Sequence, residues 1–387
     1  MTMGPFLTFY KSIVVGMSFA SKFILIFVFL LLVGCAILPD DEASLVLEDL
    51  AARGKSSRLK ERTSDPVRRL LTYSDHGRHC QADLYLPGQP PRAGIVLIPG
   101  VAALGRNDPR LVAFATTLAR VRFLVLVPDI PNLRALMIQS DDVQRIVGAF
   151  PHLVSRSELP AGSRIGIGAF SYAAGPAILA ALDPAIRERV DFILGVGGYY
   201  NLRQVITFFT TGYFRERGRW RYLKPNRYGK WVFVLSNVGR LTNAMDQQVF
   251  RFMAERRLKD PDAPIADLAG ALTAEGQALF ALLENRDPER TPFLIAKLPA
   301  AIGNDIEALN LANQDLSRLR AKLILLHGTD DEIIPYSESV ALAAAAPAGR
   351  AQLFLIAGLA HVDILPRKLD RRALWRAINA LLGERGR

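Results

Sequence analysis

Near-continuous apolar runs, spaced by stretches of helical periodicity, constrain this chain more than any other feature. They are Gly94–Ile98, Phe123–Val127, Arg164–Ala169, Asp191–Val196, Lys322–Leu326 and Gln352–Ile356. A strand that is apolar on both sides must be covered on both sides, so these runs predict a mostly parallel sheet flanked by helices, the α/β class. The intervening segments supply the helices. Asp108-Pro109 opens one that carries Leu111, Phe114, Leu118 and Val121 at helical spacing, a second lies near Asp141–Leu153, and a third follows Ser171. Ahead of them, Leu70–Tyr73 and the alternating Cys80–Leu86 read as an antiparallel edge pair. With 50% apolar residues, the 387-residue chain can bury a sizeable core.

Between Val196 and Lys322 lie over a hundred residues with no strand alternation apart from Trp231–Leu235. A loop of that size has no place in a compact domain. Helical patterns at Val249–Leu258, Ile265–Leu283 and Phe293–Ile302 instead predict a helical cap over 200–318, inserted into a core formed by 67–199 and 319–387. Residues 36–66 are polar and charged, with only a short apolar stretch at Leu45–Leu50, and read as a linker.

The N-terminus points to export. Residues 12–34 are apolar apart from Lys22 and a few small polar residues, and the densest run, Phe23–Val33, falls short of the roughly 20 residues that span a bilayer. Lys11 and Lys22 precede it, as in a secretory signal. Leu32-Val33-Gly34-Cys35 resembles a bacterial lipobox, which implies lipidation at Cys35 and tethering to the cell envelope. The alternative is an uncleaved anchor helix over 12–34. Neither Cys35 nor Cys80 has metal-binding spacing.

Chemistry enters with Arg164-Ile-Gly-Ile-Gly-Ala-Phe-Ser-Tyr-Ala-Ala-Gly175, an apolar strand running into a serine flanked by small residues and then a helix. A sharp strand-to-helix turn lifts the Ser171 hydroxyl above the sheet, and Ala169 and Ala173 leave room for it. The segment resembles the nucleophile elbow of the α/β-hydrolase superfamily, with alanine replacing both glycines of Gly-x-Ser-x-Gly. Leu323-Ile-Leu-Leu-His-Gly-Thr-Asp-Asp-Glu-Ile-Ile-Pro335 resembles the acid-bearing loop of that superfamily and implies Asp331 as the acid, with Asp330 as competitor. His361, in Ala357-Gly-Leu-Ala-His361 after the last strand, is implied as the base, and the other four histidines sit in less suitable places. The turn Pro99-Gly100-Val101 implies backbone N–H donors at Val101 and Tyr172 for an oxyanion. Ala82–Gly88 looks like dienelactone-hydrolase-like esterases. The resemblance thus implies a serine esterase needing no metal or organic cofactor. Amide or peptide hydrolysis on the same residues, and a non-catalytic binding protein of the same fold, stand beside it.

A net charge of +11 favours polyanionic partners. Tyr213–Trp231 interleaves Arg215, Arg217, Arg219, Arg221, Lys224, Arg227 and Lys230 with aromatic rings. Such a pattern suits single-stranded nucleic acid. For an exported, tethered protein, contact with anionic lipid headgroups is the better expectation. An ordinary solvated surface is the plain alternative.

Overall fold

A computed structural model describes residues 41–52, 54–361, 363–364 and 369–386. The apolar run, Cys35 and the beginning of the expected linker lie outside the described residues.

Two helices open the described body, α1 (Glu42–Ala51) and α2 (Arg58–Arg62). The strands β1 (Val67–Asp75), β2 (Arg78–Leu86) and β3 (Ala93–Ile98) follow. Next come α3 (Pro109–Arg120), β4 (Phe123–Pro128), α4 (Asp142–Val154), β5 (Arg164–Phe170), α5 (Ala174–Leu182) and β6 (Phe192–Val196). The inserted segment contains α6 (Leu202–Thr211), the hairpin strands β7 (Tyr213–Glu216) and β8 (Arg219–Tyr222), and α7 (Tyr228–Asn237). It continues with α8 (Ala244–Lys259), α9 (Ala274–Leu283) and α10 (Ala300–Leu309). The chain then returns through β9 (Lys322–Gly328), α11 (Ser337–Ala345), β10 (Ala351–Ile356) and α12 (Arg371–Gly383).

Eight strands make one sheet in the order β1-β2-β4-β3-β5-β6-β9-β10. β1 pairs antiparallel with β2 and β2 with β4, and every later pair is parallel. This is the mostly parallel, helix-flanked sheet that the apolar runs predict, and it agrees with the fold that the resemblance of the Ser171 and Asp331 segments implies. β3, β4 and β6 are buried along their whole length. Alternate residues of each strand enter opposite cores: Val96 and Ile98 pack with residues of α4 and α5, while Ile95 and Leu97 pack with residues of α1, α3 and α12. The insertion builds no core of its own among the described residues. Ile206, Trp231, Phe250, Leu279 and Ile302 join the same cluster as Ile167 and Ala177 of the sheet layer.

Two local expectations are corrected. The stretch read as a linker carries α1 and α2 within 41–66, and Ala43, Leu45, Val46 and Leu59 are buried. Its charged residues are used for capping and pairing: Asp41 accepts the Ser44 amide at the start of α1, and buried Asp49 accepts from Ser57 Oγ and Thr117 Oγ1, both at 2.6 Å. Trp231–Leu235, read as strand-like, lies inside α7, where Trp231, Val232 and Val234 are buried. Tertiary packing there overrides the strand preference of aromatic and β-branched residues. Among the described residues, no helix is long and apolar enough to cross a membrane.

Candidate active site

The site lies where the parallel strands end. β5 delivers Ser171 at its carboxyl end, and the backbone there turns through φ 57°, a left-handed conformation that holds the side chain in a sharp elbow. Such a φ is unfavourable for a residue with a Cβ by roughly 1–2 kcal/mol. The next strand but one, β9, runs into the loop that carries Asp331. His361 follows β10, also with a positive φ, 55°.

These side chains meet. His361 Nε2 lies 2.7 Å from Ser171 Oγ, and His361 Nδ1 lies 2.8 Å from Asp331 Oδ2. A carboxylate only accepts, so Nδ1 carries the proton and Nε2 is left to accept from the serine hydroxyl. Asp331 is fully buried, whereas the His361 side chain is 13% exposed. Oδ1 of Asp331 accepts the backbone N–H groups of Ile333 at 2.8 Å and Ile334 at 3.0 Å. Burial opposes ionisation of Asp331, but the hydrogen bonds from His327 and His361 outweigh it and hold the carboxyl well below the usual carboxylate range. Asp330, the competitor in the sequence, faces elsewhere and accepts the Gly358 amide at 3.0 Å.

Two glycines shape the site. Gly328 closes β9, and a Cβ on it would overlap the backbone carbonyl of Leu359, so the loop bearing His361 passes across the end of β9 at a point where only glycine leaves room. Gly197, after β6, has φ 63° and lies against the His361 and Asp331 side chains.

Val101 and Tyr172 follow the carboxyl ends of the paired strands β3 and β5. A Cβ at Gly100, the residue before Val101, would come within 4.0 Å of Ser171 Cβ, so this turn touches the elbow. Among the described residues, neither the Val101 nor the Tyr172 amide has a hydrogen-bond acceptor.

Sequence reading gave no role to several residues around this chain. His327 was noted only as part of the acid-loop motif; it is fully buried, with Nε2 2.9 Å from the Ile334 carbonyl and 3.2 Å from Asp331 Oδ2. Glu338 of α11 is buried too, and its Oε2 accepts the Tyr200 and Asn201 amides at 3.1 and 2.7 Å, fixing the loop that follows Gly197. The insertion is fastened to the acid loop by the Tyr336 hydroxyl, which donates to Glu216 of β7, and by the Asn226 amide, which donates to the Glu332 carbonyl at 2.7 Å.

Much of the basic stretch is paired within the protein. Arg215 lies over the Trp220 ring and 3.2 Å from Glu289, Arg221 lies 3.0 Å from Glu216, and Arg227 pairs with Asp262. Lys230 donates to the Leu283 carbonyl, and burial lowers its pKa to about 8. Arg217, Arg219 and Lys224 are exposed, as is the Tyr222 ring. Cys80 is a free, half-buried thiol on β2.

The fold and this hydrogen-bonded chain together define the class as an α/β-hydrolase-fold protein with a Ser-His-Asp constellation. No family model matches the sequence, and no curated protein does. Among solved structures, the chain is similar to a 2,6-dihydroxy-pseudo-oxynicotine hydrolase, with 12% identity and a TM-score of 0.46 over 82% of this chain and 68% of that one. It is similar to a puromycin-hydrolyzing peptidase of Mycobacterium tuberculosis, with 15% identity and a TM-score of 0.49 over 83% of this chain but only 39% of the peptidase. A third likeness is to a dienelactone hydrolase from Anabaena variabilis, with 13% identity and a TM-score of 0.43 over 82% and 96% of the two chains. Likeness of this degree carries no reading of substrate.

Proposed function

We propose that the protein is a serine hydrolase that cleaves a carboxylic ester through an acyl-enzyme. The observation that carries this reading is the unbroken chain from Ser171 Oγ through His361 to Asp331 Oδ2. His361 takes the hydroxyl proton as Ser171 attacks the carbonyl, and the buried carboxylate stabilises the imidazolium that forms. The Val101 and Tyr172 amides receive the oxyanion, a contribution of a few kcal/mol in comparable sites. The protonated imidazole then releases the alcohol, and a water activated by the same ring frees the acid. None of these steps calls on a metal or organic cofactor.

A fluorophosphonate probe tests the reading directly. Wild type is expected to label and Ser171→Ala is not. Failure of the folded wild-type protein to label would leave the fold with a binding role only. A series of p-nitrophenyl esters beside the matching anilides separates ester from amide hydrolysis, and faster turnover of the anilides would reverse the substrate assignment.

We further propose that the body is exported and tethered to a membrane, through a lipid on Cys35 or an uncleaved helix over 12–34. Lipid incorporation that persists in Cys35→Ser would exclude the first route. Arg217, Arg219 and Lys224 then supply the contact with anionic headgroups. Their contribution is electrostatic and is expected to weaken as salt is added.

A further inference from the structure

A second imidazole stands behind the acid of this site. His327 is the penultimate residue of β9, has no exposed surface, and makes a defined contact through each ring nitrogen. Nε2 faces the Ile334 carbonyl at 2.9 Å, and a carbonyl oxygen only accepts, so Nε2 carries a proton. The same N–H lies 3.2 Å from Asp331 Oδ2, the oxygen that receives the proton of His361 Nδ1. On the other side, Nδ1 lies 2.7 Å from the buried Ser339 hydroxyl on α11. Glu338, the residue before Ser339, is a further titratable group bearing on this ring. Asp331 therefore has three hydrogen-bond donors, two amides on Oδ1 and His361 on Oδ2, and the His327 Nε2–H beside Oδ2 as a further polar contact.

We propose that His327 is a positioning residue for Asp331, holding Oδ2 in line with His361 Nδ1 and keeping the carboxylate ionised. The proposal rests on the reading of Ser171 as nucleophile for its effect on rate, but not for its effect on the carboxylate. Ser339 sets the ring from behind: its hydroxyl donates to Nδ1 and leaves the ring proton on Nε2, where Asp331 needs it. An acid stripped of one donor becomes a stronger base and competes for the proton it shares with His361.

Two polar replacements separate this role from mere packing, because a glutamine amide nitrogen falls near the position of Nε2 and an asparagine amide near that of Nδ1. His327→Gln keeps a donor toward Asp331 and is expected to retain the wild-type pH profile. His327→Asn keeps only the Ser339 side. It is expected to lower kcat by about tenfold to a hundredfold with KM little changed, the scale of loss for a displaced reacting group, and to move the acidic limb of the profile to higher pH.

The carboxyl carbon of Asp331, followed by 13C NMR, is expected to titrate at higher pH in the asparagine variant than in wild type or the glutamine variant. Equal behaviour of the two variants in profile and titration overturns the proposal. Should the asparagine variant fail to fold, the 15N spectrum of the wild-type histidines decides, since a His327 ring lacking a proton on Nε2 is incompatible with the proposed role. Fluorophosphonate labelling of wild type, run alongside, reports on the hydrolase reading by itself. An unlabelled protein whose Asp331 still responds to His327→Asn would lose the enzyme and keep the positioning contact.

Discussion

Asp331 and Glu338 are both shut away from water, and burial has opposite outcomes for them. Asp331 collects enough donors to stay ionised far into acid. Glu338 receives two backbone N–H groups and a favourable influence from His327, yet burial prevails and raises its pKa from 4.5 to about 7. Asp142, buried at the start of α4, is likewise raised from 3.8 to about 6. The signs follow from proton linkage. A carboxyl whose pKa is higher in the folded state binds more protons there, so Glu338 contributes a loss of stability as the pH climbs from 4.5 toward 7, and no further change above. Asp331 works the other way and withdraws stability as the pH falls below its unfolded value of 3.8. The expected outcome for Glu338→Gln, which keeps an acceptor for the two amides, is a shallower fall in Tm between pH 5 and pH 7.5. At pH 8 the variant is expected to melt a few degrees above wild type. Calorimetry at those values checks it, and an unchanged slope would assign the pH dependence to Asp142 and other groups. Nothing in the sequence marked Glu338: a glutamate near the start of a helix reads as a surface residue stabilising the helix dipole. Ser171, Asp331 and His361 were legible because the segments that carry them, each following an apolar run, resemble the motifs of the α/β-hydrolase superfamily.

At the scale of elements, the eight sheet strands were readable because each is an apolar run or an alternating one, bounded by turn residues. The hairpin β7–β8 was not. Its strands have four residues each and carry several arginines, so neither length nor an apolar run sets them apart; the alternation of Arg219-Trp220-Arg221-Tyr222 and Gly218, φ 80°, at the tip were the available cues. The end of β9 shows how an element positions chemistry. Gly328 follows His327 directly, and the glycine lets the His361 loop cross the strand while the histidine reaches the acid. Gly328→Ala is expected to push that loop away, lowering kcat/KM by about a hundredfold or more and stability by roughly 1–3 kcal/mol or more. Steady-state kinetics and urea unfolding measure both, and a fully active variant would show that the loop has another path.

For the molecule as a whole, the first described helix is a structural wall. α1 lies against the sheet layer formed with α3 and α12, and its N-terminal end is tied down: Trp375 Nε1 donates to Asp41 at 3.0 Å, and Arg385 to Glu42 at 2.8 Å. Burying Leu45, Val46 and Leu59 is worth roughly 1.5–3 kcal/mol each, a sum comparable with the whole stability of an ordinary domain, about 5–15 kcal/mol. Removal of residues 36–66, which a linker would tolerate, is expected to leave the remainder insoluble or unfolded by circular dichroism. A soluble, folded, fluorophosphonate-reactive product would restore the linker reading. The Arg385–Glu42 pair also has a topological meaning. The body begins and finishes at the same seam, so its backbone is close to a ring. A short bridging peptide could join residue 386 to residue 41, and new termini opened at the exposed Arg217-Gly218 tip would leave every strand of the main sheet uncut.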